Sequence, residues 1–162
     1  MMKAIIISDA HGRTKRITKA VNRHLDSDYL FYLGDQVVDL QKAKADFNTN
    51  LNIAYVKGNC DFSKDDPEER TVTVDGKKIF LTHGHKYSVK WNKTKLYYRS
   101  QEIEADIILF GHTHVRYAKK ETGQLFFNPG SIALPRDNKP GSYGIIEIKD
   151  NQIIYKHKRI LN

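Results

Sequence analysis

Five short apolar segments of the sequence each end in aspartate, asparagine or histidine beside a glycine. Carboxylate, imidazole and amide oxygen together suit divalent ions such as Mn²⁺, Fe or Zn²⁺, whereas a structural zinc site more often uses cysteine. Glycine at such ends lets the backbone turn sharply and approach a ligand closely. The sequence therefore predicts a metal centre. Its segments are Ser8-Asp9-Ala10-His11-Gly12, Gly34-Asp35, Lys57-Gly58-Asn59-Cys60-Asp61, His83-Gly84-His85 and Gly111-His112-Thr113-His114.

The candidate ligands are Asp9, His11, Asp35, Asn59, His83, His112 and His114. These are too many for one tetrahedral ion and suit two ions if one carboxylate bridges them. Asp35, alone after its glycine, is the natural bridge. The motifs Asp-x-His and His-x-His would place two side chains on one side of an extended segment, so that each pair converges.

A pair of metal ions explains why an anionic substrate is expected. The positive charge of two divalent ions exceeds the negative charge of Asp9 and Asp35, and the excess favours a phosphate ester. Paired metals can generate hydroxide near neutral pH and hold both oxygens of an in-line displacement.

Each motif alone also has an ordinary structural explanation. Asp9 can cap a following helix, and Gly34-Asp35 and Gly58-Asn59 can be turns. Taken together, several unpaired aspartates and histidines at the mouth of the core would each carry a large desolvation cost without a metal. The combination therefore favours a metal centre over separate structural roles.

The segments between the motifs predict an α/β fold. Strands are predicted over 4–7, 29–33 and 52–56, and helices over about 15–25 and 38–47, an alternation typical of parallel βαβ units. Strands over 71–74 and 78–82 would form a hairpin at Asp75-Gly76, followed by a helix over about 93–103 and a strand over 106–110. Two more hairpins would turn at Thr122-Gly123 and Asp150-Asn151. This order predicts two mixed sheets packed face to face with helices outside, and ligands beyond the carboxyl ends of the strands.

Length and composition predict one domain over residues 1–162, with 40% hydrophobic and 28% charged residues. Such a mixture excludes a disordered or fibrous chain. The single cysteine, Cys60, excludes an intramolecular disulfide framework and suits a reducing cytoplasm. No apolar run approaches the roughly 20 residues of a membrane span, and the N-terminus lacks the apolar core of a signal peptide. A cytoplasmic protein is expected.

The net charge of +8 is dispersed along the chain. The cluster Arg13, Lys15, Arg16, Lys19 and Arg23 has helical spacing, with Ile17, Ala20, Val21 and Leu25 as its apolar stripe. A solvated helix face is the favoured interpretation, and a ring of positive charge that attracts a phosphate-bearing substrate is the alternative. Nucleic acid is a less favoured partner, because no compact basic patch with interleaved aromatics is present.

These motifs, in this order, resemble those of the calcineurin-like metallophosphoesterase superfamily, and Asn128-Pro129-Gly130-Ser131 also looks like a feature of that family. The short chain is similar to the small single-domain bacterial and archaeal phosphodiesterases. The resemblance implies a four-layer α/β/β/α sandwich, the metallo-dependent phosphatase fold, and a phosphoric ester hydrolase acting on phosphodiesters.

The resemblance also implies a ligand set and a reaction. One ion would take Asp9, His11, Asp35 and His114, and the other Asp35, Asn59, His83 and His112. A hydroxide bridging the ions would attack phosphorus. Mn²⁺ is the expected cofactor, with Ni²⁺, Fe, Zn²⁺ and Mg²⁺ as alternatives.

Cys60 departs from the pattern of many family members, which carry histidine there to stabilise the transition state or protonate the leaving group, although the small branch that this chain resembles often has cysteine. A thiol with an ordinary pKa near 8.5 is a poorer acid than imidazolium, so weak catalysis is expected unless the leaving group is good. Asp61, which would orient that histidine, would here stabilise the loop. His85 would lie near the phosphate or orient a ligand.

Other functions stay open at this point. The same site could serve a phosphomonoesterase or a nucleotide or dinucleoside-polyphosphate hydrolase. A non-catalytic protein-interaction scaffold is a further alternative, because the superfamily includes a retromer subunit of that kind. A small phosphate ester is the expected partner, without a membrane. A homo-oligomer through Leu96-Tyr97-Tyr98 is an alternative to core packing of that segment.

Overall fold

Ten strands and three α-helices form in the computed structural model, which describes residues 1–161. The strands are β1 (Met2–Ile7), β2 (Tyr29–Tyr32), β3 (Asn52–Tyr55), β4 (Glu69–Val74), β5 (Lys77–Thr82), β6 (Ile107–Leu109), β7 (Arg116–Glu121), β8 (Gln124–Pro129), β9 (Ser142–Lys149) and β10 (Gln152–Arg159). The helices are α1 (Thr14–Asn22), α2 (Val37–Ala43) and α3 (Thr94–Glu102), with 3₁₀ turns at Lys44–Asp46 and His85–Tyr87.

The strands build two mixed sheets of five. The first has the order β10-β9-β1-β2-β3 and the second β4-β5-β6-β8-β7. In the first sheet β1 pairs in parallel with β2 and antiparallel with β9. The hairpins β4–β5, β7–β8 and β9–β10 are antiparallel, as the turn sequences predicted. The predicted α/β class with two mixed sheets is confirmed.

Alternation along the strands creates three apolar layers, because successive side chains point to opposite faces of a sheet. On β1, Ile5 and Ile7 pack against residues of α1 and α2, while Ile6 packs between the two sheets. A third cluster joins the second sheet to α3 through Phe80, Leu96, Ile108 and Phe126. The layers are therefore helices, sheet, sheet and helix.

The helix ends differ from the sequence predictions. Helix α1 ends at Asn22, so Leu25 lies beyond it and is 55% exposed instead of extending the apolar stripe. Arg16 of the basic cluster donates from Nη1 to the carbonyl of Ile132 at 3.0 Å. In α3, Leu96 is buried whereas Tyr98 is 64% exposed, so core packing accounts for only part of that segment.

None of the helices among residues 1–161 is both long and apolar enough to cross a membrane, since α1 and α3 have nine residues each.

Candidate metal centre

The loops that follow β1, β2, β5 and β6 meet at one edge of the sandwich. The Asp9 amide donates to the carbonyl of Gly34 at 3.1 Å within the first sheet, and the Gly111 amide donates to the carbonyl of His83 at 3.1 Å within the second. Between the sheets, the amide of His112 donates to Asp9 Oδ2 at 3.2 Å. The residues predicted at the strand ends therefore share one region.

The ligand-bearing loops have left-handed backbone. Positive φ angles occur at Asp9 (57°), His11 (40°), Asp35 (60°), His112 (67°) and His114 (59°). The prediction that Asp-x-His and His-x-His pairs converge through extended segments is therefore wrong. Tight loops turn these side chains inward, in a conformation that aspartate and histidine adopt more readily than most residues.

Four candidate ligands form one compact group. One ligand atom from each of Asp9, His11, Asp35 and His114 lies within 4.8 Å of the other three. His114 Nε2 is 3.2 Å from Asp9 Oδ1, and His11 Nε2 is 3.6 Å from Asp35 Oδ2. The Nε2 atoms of His11 and His114 are 3.3 Å apart. This is the group that the family resemblance implied for one ion.

His83 and His112 lie beside this group. His83 Nε2 is 3.3 Å from Asp35 Oδ1 and 3.9 Å from Asp9 Oδ1. The ring centroids of His83 and His112 are 5.1 Å apart. Asn59 is exposed, and its side-chain amide donates to Cys60 Sγ at 3.5 Å. Asp35 thus faces His11 with one carboxylate oxygen and His83 with the other.

Backbone carbonyls orient two of the imidazoles. His114 Nδ1 donates to the carbonyl of Leu134 at 2.7 Å, and His83 Nδ1 donates to that of Leu33 at 2.6 Å. Each bond places the proton on Nδ1 and leaves the Nε2 lone pair directed towards the aspartates. Histidine ligands of metals are commonly oriented in this way.

Two atoms at the centre are buried without a partner. Asp9 Oδ1 and His83 Nε2 have no hydrogen-bond partner among residues 1–161, and both residues have no accessible surface. Leaving a buried polar atom unpaired costs free energy, and such atoms call for an explanation. A divalent cation would satisfy both atoms, so the residues present fit a metal ion.

The pKa values of these groups follow from burial and from their neighbours. Burial alone would raise the pKa of Asp35, but the adjacent His83 imidazole and the hydrogen bond from the Cys60 amide hold it below its usual range. Burial, together with nearby His83 and Lys90, lowers the pKa of His112 to about 4. His112 is therefore neutral at neutral pH, which is the form of imidazole that binds a metal.

Several side chains support the ligands, and sequence reasoning did not assign them this role. Ser8 Oγ donates to Asp9 Oδ2 at 2.6 Å, and Ser131 Oγ donates to the Asp9 carbonyl at 2.8 Å. Asp39 of α2 accepts from the Gly12 amide at 2.6 Å. The position of Ser8 directly before Asp9 in the sequence could have indicated its supporting role. The hydrogen bond between Asp39 and the Gly12 amide joins residues far apart in the chain, so no local sequence pattern predicts it.

The residues predicted to take part in catalysis, Cys60, Asp61 and His85, have different surroundings. Asp61 Oδ1 accepts from the Val37 amide at 2.7 Å, and Asp61 Oδ2 accepts from the Gly58 amide at 2.8 Å. The Cys60 amide donates to Asp35 Oδ1 at 3.0 Å, and burial together with Asp35 raises the pKa of the Cys60 thiol. His85 is half-buried, with its ring centroid 6.1 Å from that of His112.

Glycine is required where loops touch the ligands. A Cβ on Gly58 would lie 2.1 Å from Asp35 Oδ1, and a Cβ on Gly111 would lie 2.0 Å from Ser8 Oγ and 3.0 Å from Asp9 Oδ2. Neither approach is tolerable for a side chain. Gly58 and Gly111 therefore serve close packing against the ligands, as expected from the sequence.

The two-sheet sandwich and the aspartate–histidine group at its strand ends define a metal-dependent phosphoesterase. The family model for the calcineurin-like phosphoesterase superfamily domain matches residues 2–151. The chain belongs to this superfamily. The predicted family, fold class and enzyme class, a phosphoric ester hydrolase, are confirmed.

Known proteins from bacteria and archaea are similar over most of the chain. The probable metallophosphoesterase YsnB of Bacillus subtilis is 36% identical over 151 residues, covering 93% of this chain and 86% of that protein. The phosphodiesterase MJ0936 of Methanocaldococcus jannaschii is 33% identical, covering 80% and 83%. A crystal structure of a predicted phosphoesterase from Streptococcus pneumoniae superposes with a TM-score of 0.81 at 33% identity, covering 96% of this chain and 88% of that one.

Proposed function

We propose that the protein is a phosphodiesterase that works with two divalent metal ions, with Mn²⁺ as the expected ion. The observation that carries this proposal is the placement of Asp35. Its Oδ2 lies 3.6 Å from His11 Nε2, and its Oδ1 lies 3.3 Å from His83 Nε2. A carboxylate with a histidine beside each oxygen is suited to bridge two ions.

The ligands divide on either side of this carboxylate. Asp9, His11 and His114 would hold one ion with Asp35, and His83, His112 and Asn59 would hold the other with it. When bound, the two ions would supply a hydroxide nucleophile at neutral pH and positive charge against the phosphoryl oxygens. The mixed oxygen and nitrogen donors suit Mn²⁺, Fe or Zn²⁺ rather than Ca²⁺.

The protein's own residues prepare the site for this reaction. Ser8 and the His112 amide hold Asp9 Oδ2 in place, and Asp9 Oδ1, which has no hydrogen-bond partner among residues 1–161, would bind an ion. Asp61 fixes the loop that carries Asn59 and Cys60. Cys60 would stand where the leaving group departs, and because a thiol is a weak acid, esters with good leaving groups should react fastest. His85 would contact the phosphate or orient a ligand.

Two observations favour this function over its alternatives. A non-catalytic scaffold that binds no metal gives no reason for Asp9 Oδ1 and His83 Nε2 to stay buried and unpaired. The similar archaeal protein is named a phosphodiesterase, which supports diesters over monoesters as substrates.

The test is metal reconstitution. The protein is stripped of metal, Mn²⁺ is restored, and hydrolysis of diesters, monoesters and nucleotides is measured beside two variants, His112→Ala and His24→Ala. His24 lies on the loop between α1 and β2, which carries none of the candidate ligands, and it hydrogen-bonds to Tyr143. Its replacement should therefore leave turnover unchanged. We expect Mn²⁺-dependent diester hydrolysis that His112→Ala removes. Wild-type protein that hydrolyses no ester with any divalent ion would refute the proposal.

A further inference from the structure

A cavity of about 380 Å³ is lined by residues next to two of the candidate ligands. It lies between the start of α2 and the loop after β3, and Gln36, Val38, Gln41, Cys60, Phe62 and Asp66 are among its lining residues. Cys60 joins the cavity to the centre, because its amide donates to Asp35 Oδ1 at 3.0 Å. Gln36 and Cys60, which line the cavity, also directly follow the candidate ligands Asp35 and Asn59 in the chain, so the cavity borders the centre on the side of these two residues.

The apolar part of the lining is exposed. Phe62 is 93% exposed and Val38 is 44% exposed, although both are large hydrophobic residues. An aromatic ring open to a cavity offers a stacking face to a planar group, and such stacking tolerates different ring systems. Exposure beside a reactive centre distinguishes Phe62 from the buried phenylalanines of the core, such as Phe31 and Phe80.

The polar part of the lining suits a neutral planar group better than a second phosphate. Gln36 and Gln41 carry side-chain amides that can donate and accept at a ring edge. Asp66 accepts from the hydroxyl of Tyr55 at 3.0 Å, and Asp61 accepts from two backbone amides. Two carboxylates in the wall repel an anion, while their hydrogen bonds fix both sides of the cavity.

We propose that this cavity is the subsite for the aromatic part of the substrate, a nucleobase or a similar planar ring, and that Phe62 stacks on it. The inference rests on the proposed function for the position of the phosphoryl group. It adds a substrate class: phosphate esters that carry a planar aromatic group would be preferred to simple alkyl esters.

Binding of two phosphonates tests the subsite without turnover. Phenylphosphonate and methylphosphonate have the same charged head and differ in the ring, and their affinities for the Mn²⁺-loaded protein can be measured by calorimetry. We expect phenylphosphonate to bind more tightly by about fivefold or more, the effect of one aromatic stacking contact. Phe62→Ser should abolish the difference, and Phe62→Tyr should retain it.

The matched control is Tyr98→Ser, which removes an exposed aromatic ring that lines a different cavity on α3. It should keep the wild-type preference. Equal affinities for the two phosphonates, no binding of either, or a preference that survives Phe62→Ser would overturn the subsite. Ester hydrolysis alongside such a result would leave the proposed function standing. If the protein prefers phenylphosphonate in a way that depends on Phe62 but hydrolyses no ester, the subsite would be supported and only the proposed function would be refuted.

Discussion

Asp61→Asn would show whether Asp61 acts through the loop or in the reaction itself. Its carboxylate joins the first amide of α2, at Val37, to the Gly58 amide, at 2.7 and 2.8 Å. Asparagine has one side-chain acceptor oxygen, so one of these amides would face an NH₂ group instead. The change removes one charge-assisted hydrogen bond and leaves the size of the side chain almost unchanged.

The expected cost follows from that bond. A hydrogen bond to a charged group contributes about 1.5–3 kcal/mol. Because Asp61 is partly exposed, water replaces part of the bond, and we expect a loss of about 1–2 kcal/mol in the free energy of unfolding. For a chain of this size the melting temperature would fall by about 2–8 °C. The Gly58 loop touches Asp35, so Mn²⁺ affinity should fall as well, by about 10-fold or more.

Thermal unfolding with and without Mn²⁺, Mn²⁺ calorimetry and diester turnover measure these effects. Asp65→Asn is the control, since this exposed aspartate lies on the same loop, and its change should stay within about 0.5 kcal/mol. Wild-type melting temperature and Mn²⁺ affinity combined with a collapse of turnover would refute the reasoning and place Asp61 in the reaction.

Three further changes have defined outcomes. Gly111→Ala would place a Cβ 2.0 Å from Ser8 Oγ and should lower Mn²⁺ affinity by about 10-fold or more in calorimetry; unchanged affinity would contradict the close packing. Arg116 lowers the pKa of Asp137 to about 2, so the ionised pair stabilises the fold above about pH 4 and this contribution is lost as the pH falls towards 2. Urea unfolding should therefore show that Asp137→Asn is less stable than wild type by about 1–2 kcal/mol at pH 7, and this difference in the free energy of unfolding should shrink below about pH 4. A difference that does not change with pH would exclude the ion pair as its cause. Cys60→His should raise turnover of diesters with poor leaving groups relative to p-nitrophenyl diesters, because imidazolium is the stronger acid, and equal changes for both would count against a proton donor at this position.

The residues at the strand ends could be located from sequence because strands and their turns are local. The segment Tyr29–Tyr32 is apolar and ends near Gly34-Asp35, so both the strand and the polar end were visible in the pattern. The order of the strands in the sheets then brings the ends of strands that are far apart in the sequence close together.

The conformation of the ligand loops could not be predicted in the same way. Asp9 and His11 have positive φ angles, and hydrogen bonds from residues far along the chain, such as Ser131, hold this loop. The cap that Asp61 provides for α2 also depends on tertiary contact, since Gln36, at the N-terminal end of that helix, makes no side-chain cap. Leu25 fits the helical spacing of the apolar stripe, but helix α1 ends at Asn22, so Leu25 is not part of it.

The left-handed backbone of the ligand loops also determines which replacements the chain can accept there. Asparagine and glycine enter that conformation at little cost, whereas β-branched residues do not. Substitution of Asp9, Asp35 or His112 by asparagine would weaken metal binding, by removing a negative charge or an imidazole, while keeping the loop shape and both sheets. Over evolutionary time, a chain of this architecture can therefore lose its chemistry through single changes and still fold, which leaves its surface available for selection towards another role.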